Sequence, residues 1–384
     1  MDDYQRPLQI FQSETHGKSY ATHKYCLDSD PHPGPIFEKE QKYVFKNVGE
    51  TDRSIKTSVD LTNHIRRPIP PLFEFFLDGS RRVYKIDDIN YSNRIYPILL
   101  GQIGASCCRR NDIGEFSNFR TENRLILAVP SIAYPNNNNP EQFFESIRDK
   151  INLESTLKKH SISLHSIITY QDKEEADYAN LAVARLHDSM LDLEKEFVNR
   201  LVNEDRVLAL DSMLAKDGSL EYKAISTGNF RDLSRIKSNY RCVVGISKKF
   251  DPEKSFDRKG RSNASNIAEL PLFHRTPAFK FRSAVSGAGV YFSAWYVRIR
   301  DLKHTISPFD GVLKLEMLLV DDDMQTKGVD TDEINAISAS IIRERNPTCY
   351  GSDARWANHL YPMHLTEKCL KSHRFSDHVI FNLL

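Results

Sequence analysis

Apolar positions along the chain follow two rhythms. Between Tyr178 and Val202, the residues Ala182, Leu186, Met190, Leu193, Phe197 and Leu201 recur at helical spacing, which predicts an amphipathic helix. Elsewhere apolar residues gather in short runs bounded by Pro, Gly or Asp, the pattern of buried strands. The aromatic-rich run 72–80 is one, and the alternating stretch 82–86 reads as its hairpin partner. Runs 124–130, 206–211, 242–247, 289–300 and 311–320 are the others, the last two reading as neighbours. Shorter helices are predicted over 141–151, 332–343 and 361–371, with a loop at 136–139 between Pro135 and Pro140. A helix followed by a strand that delivers an Asp is the grammar of an α/β fold, and no repeat of fixed period interrupts it.

Residues 1–65 depart from both rhythms. They are polar, punctuated by Pro31, Pro33 and Pro35, and end at the stiff lead-in Arg66-Arg67-Pro68-Ile69-Pro70-Pro71. The chain therefore divides into an N-terminal extension, 1–65, and a main domain, 66–384. With 384 residues, 40% hydrophobic and 27% charged, it can bury a sizeable core and is not a disordered chain. A net charge of +1 offers no global pull on nucleic acid, so any phosphate contact must come from local patches. No run of about 18 apolar residues predicts a membrane span, and Met1-Asp2-Asp3-Tyr4-Gln5-Arg6 does not read as a signal peptide. Cys26, Cys107, Cys108, Cys242, Cys349 and Cys369 form no Cys-x-x-Cys pair and read as reduced thiols of a cytoplasmic protein. No Walker-type loop is present, so ATP hydrolysis by a P-loop is excluded.

The residues that carry chemistry are acids at strand ends. Asp78, in Leu77-Asp78-Gly79-Ser80, closes a buried run, where a carboxylate is costly unless paired or bound to metal. Asp-Gly is also the strongest short hairpin signal, so a plain turn stays open. Asp211 repeats the pattern at the end of 206–211, with a turn or helix-cap role as its alternative. Two such strands side by side would gather the oxygen ligands that hard divalent cations need. The second Asp-Gly-Ser, Asp217-Gly218-Ser219, has no apolar strand feeding it and reads as a turn.

In sequence order these features resemble the NurA family of DNA-end-processing nucleases, across roughly residues 70–375. The resemblance is carried by Asp78-Gly79-Ser80, Asp211, Val243-Val244-Gly245-Ile246-Ser247-Lys248, Tyr296-Val297-Arg298-Ile299-Arg300, Leu313-Lys314-Leu315-Glu316 and Tyr361-Pro362. It implies an RNase H-like mixed sheet flanked by helices, related to the Piwi nuclease domain. It implies Mn²⁺- or Mg²⁺-dependent cleavage of DNA, with a homodimer working beside a hexameric HerA-type ATPase in repair or antiviral defence. Asp78 and Asp211 match the family's catalytic carboxylates. Asp188, in Arg185-Leu186-His187-Asp188, stands where the family has an acid on the preceding helix, with Asp192 one turn on. His364 and His373 flank the place of a family Ala-His pair, where this chain has the stretch Glu367-Lys368-Cys369. Glu316 reads as a metal ligand or an ion-pair partner, Lys248 and Arg298 as phosphate contacts, and Tyr361 as a stacking residue or packing. The missing Ala-His and the Ser212 after Asp211 leave a second reading, a degenerate NurA-like adaptor of a DNA-translocating ATPase.

Overall fold

The computed structural model describes residues 7–29, 43–44, 47–135, 139–172, 177–221, 230–256, 260–282, 290–344, 347 and 354–383. Among them one mixed sheet dominates. Its main path uses β1 (Asn47–Val48), β2 (Phe73–Tyr91), β3 (Arg94–Arg110), β4 (Phe116–Pro130), β5 (Leu164–Tyr170), β6 (Met213–Asp217), β7 (Val243–Ser247), β8 (Phe279–Arg282), β9 (Tyr291–Arg298) and β10 (Val312–Leu318). The order across the sheet is β1-β8-β9-β10-β7-β6-β2-β3-β4-β5. The helices that matter here are α1 (Pro7–Thr15), α2 (Pro140–Asn152), α3 (Tyr178–Asn203), α4 (Thr331–Arg343), α5 (Tyr361–Ser372) and α6 (Asp377–Leu383). This is the α/β fold that the apolar pattern predicts, with the mixed sheet flanked by helices that the resemblance implies.

Two expectations are corrected. Residues 72–86 form no hairpin. β2 runs unbroken through Asp78-Gly79 because β3 pairs with it on both sides of that dipeptide, from Phe75↔Arg109 to Tyr91↔Arg94. The turn comes later, at Ser92 and Asn93, whose φ of 50° and 66° suit a two-residue hairpin loop. Residues 206–211 form no strand either. Arg206 takes φ of 52°, and a bridge between Ala209 and Ser212 tightens the chain around Leu210 and Asp211. Leu210 is 58% exposed, and β6 starts only at Met213.

Strand alternation gives the sheet two apolar faces. Phe75, Leu77 and Leu214 face a core shared with Leu186, Leu193 and Phe197 of α3. Phe76, Ala215 and Val244 face a core shared with Ile334, Ile337 and Ile341 of α4 and Met363 of α5. Each such side chain contributes about 1.5–3 kcal/mol on burial, which fixes the register: a one-residue slip would exchange the faces. Asp177 caps α3 through its side chain, accepting from the Asn180 backbone N–H at 3.1 Å.

The described part of the first 65 residues packs into these cores. Phe11 of α1 and Leu61 are fully buried. Glu50 accepts two hydrogen bonds from the Arg275 guanidinium, at 3.1 and 2.7 Å, and one from the Ala278 N–H at 2.6 Å. Of the 136–139 loop only Asn139 lies among the described residues, where its side chain caps α2; Gly289 and Pro31–Pro35 lie outside them.

Candidate active site

The same alternation sorts the acids. On β2, Asp78 follows Phe76 onto the α5 face. On β6, Asp217 follows Ala215 onto that face. β2 and β6 are parallel, with Leu77 opposite Lys216, so the next residues, Asp78 and Asp217, are neighbours on adjacent strands. Neighbouring strands lie about 4.8 Å apart, which puts the two carboxyls within reach of one cation or a close pair. Asp217 ends β6 and Lys248 follows the end of β7, at the carboxyl edge of a parallel run, where α/β sheets form their ligand sites.

Lys248 closes on this pair, its Nζ 2.7 Å from Asp217 Oδ2. Its carbonyl accepts from Asn358 Nδ2 at 2.8 Å, tying the segment before α5 to the site. The next residue, His359, has Nε2 3.0 Å from Glu367 Oε2, and Lys371 Nζ is 2.5 Å from Glu367 Oε1. The His359 and His364 rings stand perpendicular, 88° apart, with centroids separated by 5.5 Å. Asp78, Asp217, Lys248, His359, His364 and Glu367 thus form one polar cluster between the sheet edge and α5.

Its electrostatics follow from burial and like charge. Burial pushes the Asp78 carboxyl well above its ordinary 3.8, the Asp217 charge pushes it further, Lys248 pulls it back, and Glu367 and Glu194 add to the rise. Burial works against the Lys248 ammonium, but Asp217 and Asp78 outweigh it and hold its pKa above the ordinary 10.5. The His359 hydrogen bond, working against burial, holds the Glu367 carboxyl well below its usual range, with Lys371 helping. Burial, then the charge of His359, lowers the His364 imidazole. Of the charges that bear most on Asp78, Asp217, Glu367 and Glu194 share its sign and Lys248 opposes it, so the pair could hold a cation. Its donors are oxygens, the choice of hard ions such as Mg²⁺ and Mn²⁺.

A scaffold on the α3 face supports the pair. Glu194 lies against the Gly79 backbone: a Cβ there would stand 2.3 Å from Glu194 Oε1, so any larger residue would have to displace that carboxylate. Glu194 pairs with Lys216 at 2.9 Å, both buried. Lys216 Nζ also donates to the carbonyls of Asp217, at 2.7 Å, and Ser219, at 3.3 Å. Gly218 turns the chain with φ of 82°. From β10, Glu316 accepts from Ser219 Oγ at 2.8 Å and from the Leu220 N–H at 3.0 Å, and its charge is met by Lys314 at 2.5 Å. Burial opposes the Glu316 charge, but Lys314 and these donors hold its pKa below the ordinary value.

The sequence-predicted residues therefore scatter. Asp78, Lys248 and His364 come together. Asp211 sits on the exposed turn before β6, at the opposite end of that strand from Asp217, because the strand starts after it rather than ending on it. Asp188 lies on α3 six residues before Glu194, about 9 Å along the axis and well round the helix, where Arg185 is 3.5 Å away. Glu316 anchors the 217–220 turn rather than reaching the pair. Arg298 is no surface cation: it is 1% exposed and donates to the carbonyls of Leu270, Ala268, Pro308 and Asp310, at 2.6, 2.9, 2.7 and 3.2 Å. Burial lowers its pKa, with Asp301 acting the other way. Tyr361 is half-buried, edge-on to Phe116 at 6.2 Å. His373 ends α5 and binds the Cys369 carbonyl at 2.8 Å.

Sequence reasoning missed Asp217, Glu194, His359 and Glu367. Asp217 had a usable signal, since Met213-Leu214-Ala215 precedes it and an Asp-Gly-Ser repeats that of Asp78. Glu194 falls on the apolar stripe of α3, beside Leu193 and Phe197, where an acid needs a buried partner. His359 and Glu367 carried no local signal.

No family model matches the chain, and no curated protein matches it. Among solved structures it is similar to the crystal structure of the NurA nuclease from Sulfolobus solfataricus, over 81% of this chain and 82% of that one, at 10% identity and a TM-score of 0.39.

Proposed function

We propose that the chain is a divalent-metal-dependent deoxyribonuclease, with Asp78 and Asp217 as its cation-binding carboxylates. The observation that carries this reading is the placement of two aspartates side by side at the edge of a parallel strand pair, one of them buried among like charges. Mg²⁺ or Mn²⁺ bound there would activate water and neutralise charge developing on a phosphodiester. The chain's own groups do the rest. Asp78 and Asp217 hold the reacting centre against a rigid sheet. Lys248, released from Asp217 when the site is filled, contacts a backbone phosphate without reading a base. The resemblance seen in the sequence adds the expectation of a homodimer that works with a HerA-type ATPase on DNA ends.

The test is cleavage of labelled DNA with Mn²⁺ or Mg²⁺. Asp78→Asn and Asp217→Asn should each lower the rate by about 10³-fold or more, the several kcal/mol that a bound cation supplies, while Asp211→Asn leaves it near the parent's. Full activity in Asp217→Asn with loss in Asp211→Asn would reverse the assignment. An inert parent that still alters the ATPase rate of such a partner would identify an adaptor instead.

A further inference from the structure

The cluster contains a second set of ligating atoms of a different kind. We propose that His359, His364 and Glu367 bind a borderline transition ion, Zn²⁺ foremost, through two imidazole nitrogens and one carboxylate oxygen. His364 and Glu367 are three residues apart on α5, so both leave the same face of that helix. His359 enters from just before the helix, its backbone N–H bound to the Trp356 carbonyl at 3.2 Å. The ligating atoms of all three lie within 4.8 Å of one another.

The spacing is close to that of shared ligands. Two donors each about 2.1 Å from one tetrahedral ion are about 3.4 Å from each other, so the His359 Nε2–Glu367 Oε2 hydrogen bond, 3.0 Å long, needs to open only slightly to admit one. Two imidazoles on one tetrahedral ion carry their centroids about 5 Å apart, close to the 5.5 Å between these crossed rings. Among the described residues, hydrogen bonding uses only half of His359: the residue is 4% exposed, yet its Nδ1 is buried without a hydrogen-bond partner there. Lys371, which pairs with Glu367, has a side chain 49% exposed and can swing into water. Two nitrogens and one oxygen select Zn²⁺, Co²⁺ or Ni²⁺, whereas the all-oxygen aspartate pair selects Mg²⁺ or Mn²⁺. Three protein ligands leave a fourth position open to water. The molecule then carries two cation sites of distinct chemistry, and the second does not depend on the nuclease reading.

The full-length protein is stripped with chelator, equilibrated with Zn²⁺, dialysed and assayed for metal, and separately titrated with Co²⁺ while its visible bands are followed. About one equivalent should remain in the parent and in Asp78→Asn/Asp217→Asn, and binding should weaken by about 100-fold in His364→Ala and His359→Ala. Circular dichroism melts certify each variant, and His364→Gln serves where His359→Ala does not fold. A parent that retains no Zn²⁺, equal retention in the His364 variants, or loss in the double Asp variant would overturn the proposal.

Discussion

A carboxyl buried as deeply as Asp78 costs the folded chain stability whenever it is ionised. In the folded state it keeps its proton to higher pH than it does unfolded, so above its ordinary 3.8 the folded chain binds more protons. Stability therefore falls as pH rises from there through the folded pKa. Asparagine carries no charge and escapes that loss. Asp78→Asn should accordingly melt higher than the parent in chelator near neutral pH, the gap closing as pH drops toward 3.8; thermal melts over that range read it. A gap that does not change with pH would mean that shape rather than charge sets the difference. The same residue shows what the sequence can disclose. Asp78 is legible because Leu72-Phe73-Glu74-Phe75-Phe76-Leu77 announces a buried strand ahead of it. Asp217 is hidden because its strand, Met213-Leu214-Ala215-Lys216-Asp217, contains a lysine, and a lysine reads as exposed. Lys216 is in fact 2% exposed, made bearable by Glu194 on a helix over twenty residues earlier. A pairing of that range leaves no mark on local pattern, and Val207-Leu208-Ala209-Leu210 offered a more apolar decoy.

The element that sets the site is the turn from Asp217 to Leu220. It is clamped by Lys216 through two carbonyls and by Glu316 through Ser219 and the Leu220 N–H. Glu316→Ala would remove the carboxylate that meets the buried Lys314 and that accepts from Ser219 and Leu220, a cost of about 3–5 kcal/mol. Replacing both, as Lys314→Met/Glu316→Leu, should restore much of the melting temperature while cleavage stays low, because nothing then fixes the turn that aims Asp217. Parent-like cleavage by the double variant would show that the turn needs no anchor. β9 supplies the contrasting case. Arg298 ends that strand and is packed rather than exposed: it joins the 268–270 and 308–310 segments through four carbonyls. Burial brings the Arg300 guanidinium down to about 10. Arg298→Lys should lower the melting temperature yet leave the salt dependence of DNA binding unchanged, whereas Lys248→Ala should reduce that slope by about one unit. A reduced slope in Arg298→Lys would return it to the DNA path.

At the scale of the whole molecule, the four longest described helices, α2, α3, α4 and α5, and five of the ten main-path strands, β2, β4, β7, β9 and β10, followed from periodicity, since burial on two faces imposes it. The long β2–β3–β4 meander did not, because a strand paired on both sides tolerates the Asp-Gly that elsewhere marks a turn. Nor did periodicity reveal how the polar first segment joins the core, which happens through an ion pair with both side chains 0% exposed. Glu50→Gln should destabilise the fold by about 3–5 kcal/mol, by stranding the Arg275 charge. Removing residues 1–65 should do at least as much, with loss of cooperative melting. An unchanged melt in either case would make that pairing incidental.

The distance between those two partners also sets a timetable for synthesis. Glu50 leaves the ribosome first, and 225 positions separate it from Arg275. At about 5–20 residues per second that stretch takes roughly 10–45 s to translate. Through that interval Phe11, Leu61 and a carboxylate destined for the interior have no finished core to enter, and the nascent chain must be shielded from its neighbours. Production of this protein should therefore respond to chaperone supply and to slow, cool expression more than its final stability alone implies.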